Sequence, residues 1–147
     1  MSVYRDAKRQ PTSAEEIHAL LRLAERDLQQ AEVPGLYPDG RFSFAYNAAL
    51  QLATATLRLY QIRVGASSHH VRTFEELRRV LPDEKREFAL EFERARRKRH
   101  MLTYEQAGGV SESEAQNLIL RVHEYQAWLF EYINSNFPRY LKETELT

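Results

Sequence analysis

The chain contains no cysteine, which excludes disulfides, thiolate metal ligands and a thiol nucleophile. Glycine and proline are scarce, with five of each in 147 residues. They fall between periodic segments and not inside them, a punctuation that favours helices. No apolar run reaches the ~20 residues that a membrane-spanning helix needs. The first residues, Met1 to Arg9, lack the apolar stretch of a secretory leader. A soluble, cytoplasmic protein with no membrane contact is therefore expected. Nor does one sign of charge dominate: 21 basic side chains balance 21 acidic ones, so any contact with a polyanion has to be local. A glycine-rich phosphate loop, a His-Glu-x-x-His zinc motif and a serine nucleophile elbow are all absent. Neither a metal nor an organic cofactor is expected.

Amphipathic helices are what remain. Thr12 and Ser13 are each followed three residues on by a glutamate, Glu15 and Glu16, which is capping-box spacing. An apolar stripe then runs Ile17, Leu20, Leu21, Ala24, Leu28, Ala31. Val33 to Gly40 breaks this helix, and a second runs from about Phe42 to Ile62. It is small and apolar nearly all round, the mark of a central helix that neighbours approach closely. Gly65 to His70 reads as a loop. Thr73 and Glu76 predict the cap of a short helix ending at Leu81-Pro82. A fourth helix carries Phe88, Leu90 and Phe92. Ser111 and Glu114 predict a further capping box, opening a last long helix through Leu118, Ile119, Val122, Tyr125, Leu129, Tyr132 and Ile133. The expected fold is all-α: an antiparallel bundle of four longer helices and one short one. One domain spans 1–147, with 1–11 as a flexible N-terminal segment and 138–147 as a loose C-terminal tail. Tyr125, Trp128 and Phe130 exceed what one small core can take on that last helix. They point either to a wide core-facing stripe or to a self-association surface.

The chemistry concentrates in Arg94-Ala-Arg-Arg-Lys-Arg-His100-Met-Leu-Thr-Tyr104-Glu105, about three helical turns. Arginine suits phosphate oxygens through its fixed fork of donors. On an uninterrupted helix Arg97, His100 and Tyr104 share one stripe. The alternative is a solvated face ion-paired with Asp83, Glu84, Glu87, Glu91 and Glu93. His69 and His70 lack a third metal ligand at telling spacing, which favours a loop or capping role. His18 and His123 read as surface or core-edge residues.

The order of these pieces resembles a HEPN domain over nearly the whole chain. The alanine-rich stretch Tyr46-Asn-Ala-Ala-Leu-Gln-Leu-Ala53 is similar to that family's central helix. The turn with His69-His70 resembles a loop of many bacterial members, and Arg96 to Glu105 resembles the late Arg-x4-6-His motif. Carried over, Arg99 matches the motif arginine, His100 takes the place of the following polar residue, and Tyr104 stands where the histidine is expected. Arg94 to His100 also fits the spacing. The resemblance implies a dimer with a basic cleft between subunits, metal-independent endoribonuclease chemistry, and a toxin–antitoxin or defence setting. The partner would be a nucleotidyltransferase or antitoxin. Arg99, His100 and Tyr104 would be catalytic, while Arg94, Arg96 and Arg97 would hold substrate phosphate. Tyrosine ionises near pH 10 and is a poor proton acceptor at neutrality unless cations assist it. Two classes therefore stand side by side: a homodimeric ribonuclease, and a module that binds RNA, nucleotide phosphates or a partner protein without turnover.

Overall fold

In the computed structural model, which describes residues 7–65, 69–104 and 109–142, α1 (Ala14–Ala31) begins where the capping residues place it. Ser13 is extended and its hydroxyl accepts the Glu16 N–H. The Glu16 carboxylate does not close the box. It accepts instead from the Thr12 hydroxyl at 2.7 Å and from Arg63 at 2.6 Å. The second helix, α2 (Pro38–Leu59), starts four residues earlier than Phe42 because Pro38 occupies its first turn. There the fixed φ of proline helps and its missing N–H costs nothing. The helix ends short of Ile62, where Gln61 adopts φ 61° and turns the chain.

That turn builds a two-stranded ribbon, β1 (Ala7–Arg9) antiparallel to β2 (Ile62–Val64), with Lys8 opposite Arg63. Residues 7–9, expected within a flexible segment, are thus paired. The cause is Arg58, which is 1% exposed. Its guanidinium donates to the backbone carbonyls of Gln10, Pro11 and Ile62 and to the Glu16 carboxylate.

The short helix α3 (His69–Val80) begins at the histidine pair and not at Thr73. Thr73 is buried inside it, its hydroxyl donating to the His69 carbonyl one turn back. It caps nothing, and His69 and His70, expected in the loop from Gly65, form the first turn of the helix instead. A 3₁₀ turn at Asp83–Lys85 leads into α4 (Arg86–Tyr104). Ser111 then caps α5 (Glu112–Asn136) in a complete capping box with Glu114. A single turn, α6 (Arg139–Lys142), follows. Its Tyr140 is buried in the core, so this part of the expected tail is packed.

The bundle is all-α apart from the ribbon. Arg58 at the end of α2 reaches Glu16 at the start of α1, so these helices are antiparallel. Lys98–Glu114 and Arg121–Glu91 fix α4 antiparallel to α5. Arg41–Glu112, Thr56–Tyr125 and Tyr60–Tyr132 step in the same order along α2 and α5, which therefore run in one direction. At the centre, Ala45, Ala48, Ala49 and Ala53 of α2 are fully enclosed. Their small side chains let four helices approach one axis.

The aromatic residues of α5 divide between core and surface. Tyr125 is fully buried, donating or accepting at Thr56 Oγ1 (2.6 Å), and Trp128 bridges Tyr125 and Tyr132 with ring centres 5.4 and 4.8 Å away. Only Phe130 of the three stands out, at 56% exposure. Leu90, which α4 carries between the buried Phe88 and Phe92, is also exposed. Among the described residues, no helix is long and apolar enough to cross a membrane.

Candidate functional site

Tyr46 is the buried hub of the site. It sits among alanines on α2, a helix whose packing leaves its hydroxyl to find a partner outside the backbone. That partner is Nδ1 of His70, 2.8 Å away, with the two rings offset and nearly parallel at 22°. From the other side α4 lays the Arg99 guanidinium 5.3 Å from the centre of the Tyr46 ring, within cation–π range. Three helices, α2, α3 and α4, therefore converge on one phenol. Phe74 packs against the Tyr46 ring with centres 6.0 Å apart, and Phe92 packs in turn on Phe74.

The charges nearby are ordered. Arg96 grips Glu93 with two parallel bonds of 2.8 Å, and Arg97 donates to the same carboxylate at 3.2 Å. Burial pushes the Glu93 carboxyl up, but the bonds and charges of Arg96 and Arg97 outweigh it and hold the group below its ordinary range. Burial pushes the Tyr46 hydroxyl up, against the pull of Arg99 and Arg96, so it keeps its proton. His70 is held below the ordinary histidine value by burial first, then by His69, Arg99 and Arg96. His69 is lowered by burial alone. Its Nε2 lies 3.5 Å from the Thr54 hydroxyl, and its ring stands at 88° to that of His70. The two imidazoles face different neighbours and do not chelate together.

No protein-family model matches the chain, and no curated protein or solved structure matches it.

The residues singled out in the sequence separate onto different sides of α4, which runs unbroken through them. Arg96 and Arg99 are half-buried and turn toward Tyr46 and His70. Arg97 is exposed and faces α3, while Arg94 and His100 are exposed. Lys98 leaves the cluster altogether and pairs with Glu114 of α5. Tyr104 is the last residue of α4; its side chain, and Glu105, lie outside the described residues. Of the acidic residues offered as counter-ions, Glu93 bonds to the cluster through Arg96 and Arg97. Asp83 pairs with Arg86, and Glu91 with Arg121. His18 is buried and bonds the Tyr140 carbonyl, and His123 meets Glu32.

Tyr46 and His70 carry the site, and sequence reasoning gave neither of them a role in it. A signal was available for Tyr46: one phenol in a helix of alanines and leucines needs a polar partner when buried. The partner could not be read, because it depends on where α3 begins.

Proposed function

We infer that this chain is a phosphate-binding helical module of the HEPN type, taking RNA or nucleotide phosphates at the Tyr46–His70–Arg96–Arg99 cluster. The observation that carries the reading is the convergence of His70 and Arg99 on the buried Tyr46. In the tautomer that carries this reading, the protonated phenol donates its O–H to His70 Nδ1, 2.8 Å away. The remaining proton of a neutral imidazole then sits on Nε2. His70, Arg96 and Arg99 together offer N–H donors and positive charge, the complement of a phosphate. Glu93 orients Arg96 without neutralising the whole cluster, since it is shared with Arg97.

Cleavage is the second reading, favoured by the lowered His70 value, which leaves the imidazole neutral near pH 7. A neutral imidazole is the form that can take a 2′-hydroxyl proton. Its free lone pair, however, is the one engaged by Tyr46, so turnover requires that bond to give way, or His100 or Tyr104 to serve. Binding without turnover needs no such change and is the conclusion adopted. In the setting that the HEPN resemblance implies, a toxin–antitoxin or defence pair working as a dimer, the module would hold RNA for a partner.

The test is titration of a fluorescent single-stranded RNA with protein in EDTA, followed by electrophoresis of the same samples. Binding that weakens at least tenfold in Arg96→Ala/Arg99→Ala and falls with salt is expected, with the RNA intact. Cleavage abolished by His70→Ala would promote the second reading. Equal binding by wild type and the double variant would sink both.

A further inference from the structure

A second surface lies beside this site, on the outer side of the α3–α4 pair. The two helices enclose an open groove of about 890 Å³. Its floor is apolar: Phe74 and Ala89 are buried there, and at the lip Val71 and Leu90 are 40% and 39% exposed. Its walls carry four arginines, Arg78 and Arg79 from α3 and Arg86 and Arg97 from α4, against two carboxylates, Glu75 and Glu93. Both carboxylates are already bridged, Glu75 by Arg72 and Glu93 by Arg96 and Arg97. Arg86 is itself paired with Asp83 just outside the lining, so four guanidiniums face three carboxylates and a smaller positive surplus remains around the apolar trough.

We propose that this groove docks an acidic amphipathic helix of a partner protein, seating its apolar stripe on Val71, Phe74, Ala89 and Leu90 and its carboxylates on Arg78, Arg79 and Arg86. The furrow between two packed helices is the shape into which a third helix lays its side-chain ridge. From Val71 to Arg79 α3 rises about 12 Å, enough for roughly two turns of a docked helix. The exposed leucine and valine have a use in such a complex, since apolar contact supplies affinity while the arginines fix register and partner charge.

A polynucleotide fits this groove less well than a peptide. The floor offers no exposed aromatic ring on which bases would stack, Phe74 being 2% exposed. Two carboxylates in the lining also interrupt the path of a continuous phosphate chain. The inference is separate from the phosphate reading, because Arg78, Arg79, Arg86 and Leu90 take no part in the Tyr46–His70 cluster.

The experiment uses the whole chain and two labelled probes. One is a synthetic helix of repeating Leu-Glu-Glu-Leu pattern, and the other is polyglutamate of equal length. Saturable binding of the first, at least tenfold tighter than the second, is expected. Arg78→Ala/Arg86→Ala and, separately, Leu90→Ser should each weaken it about tenfold. Both substitutions alter exposed side chains, and circular dichroism checks that the helices persist. RNA binding should be unchanged in both variants, which keeps failure here distinct from failure at His70. Three results would overturn the proposal: no binding of the Leu-Glu helix, equal binding of polyglutamate, or an RNA probe that competes for the groove and is weakened by the same variants.

Discussion

Two arginine centres in this molecule use the same side chain to opposite ends. Arg58 is sealed in the protein and directs its donors at three backbone carbonyls and one carboxylate. Arg96 and Arg99 are half-buried on α4, one on a shared carboxylate and one over a phenol beside an exposed imidazole. The first centre closes the fold by tying the β1–β2 ribbon and the start of α1 to the end of α2. The second keeps charge on partly exposed side chains. Backbone acceptors are fixed by the fold, so an arginine committed to them is a strut. A partly exposed arginine held by a carboxylate that a second arginine shares can turn its charge toward an incoming anion. Burial and the kind of acceptor separate the two, and the number of charges in a run does not.

The largest effect should come from removing the strut. Arg58→Ala takes the side-chain donor from the carbonyls of Gln10, Pro11 and Ile62 and leaves the Glu16 carboxylate to Thr12 and Arg63 alone. Loss of a buried ion-pair partner typically costs about 3 kcal/mol or more, to be read from the denaturant midpoint. A change under about 1 kcal/mol would mean that the ribbon does not depend on Arg58. Arg99→Ala should invert the pattern. RNA binding is expected to weaken about tenfold, equivalent to about 1.4 kcal/mol, while unfolding free energy moves by less than that. If stability fell and binding held, Arg99 would belong with Arg58 as a structural residue. Ser111→Ala offers a calibration away from both centres, since losing a cap costs about 1 kcal/mol, visible as a lower thermal midpoint. Phe130→Ser should be nearly silent in stability, within about 0.5 kcal/mol for an exposed site. Phe130 lines a groove of about 760 Å³ with Leu21 and Leu141. Light scattering of wild type and variant at micromolar concentration reads whether that groove is where copies meet. A dimer lost in the variant assigns the dimer to this face, and a dimer retained assigns it elsewhere.

The fold was legible wherever local chemistry decides it. Ser13 and Ser111 cap as their spacing predicts, and the alanine-rich α2 is central because nothing on it obstructs close packing. The reading failed where a distant residue decides the local outcome. Thr73 looks like a cap, yet α3 begins at His69, and the Thr73 hydroxyl bonds back into the helix. Residues 7–9 look unstructured until Arg58, fifty residues on, gathers their neighbours. The candidate site shows the same division. The arginine run marks α4 correctly as the cation-bearing helix, but spacing cannot say that Lys98 turns to α5 while Arg99 turns inward. Nor can it say that Tyr46 and His70, from two other helices, complete the cluster. For Tyr125, Trp128 and Phe130 the sequence leaves a core-facing stripe and a self-association surface equally open. The choice depends on α2 running alongside α5, which packs Tyr125 and Trp128 inward and leaves Phe130 outside.

Proton linkage ties the comparison together. Burial, His69 and the two arginines lower His70 in the folded chain, so the unfolded chain binds its proton first. The His70 contribution to stability is then present above about pH 6.5 and is lost as pH falls through that value toward the lower folded one. A bound phosphate favours the imidazolium and works in the opposite direction, so anion binding should strengthen as the solution is acidified through the same range.

The most direct measurement is the His70 imidazole titration, followed by NMR in the free protein, with single-stranded RNA bound, and in Arg99→Ala. A free value below that of an ordinary histidine is predicted, rising when RNA binds and rising also when Arg99 is removed. An ordinary value that neither RNA nor Arg99→Ala shifts would contradict the claim that His70 and Arg99 form one phosphate site.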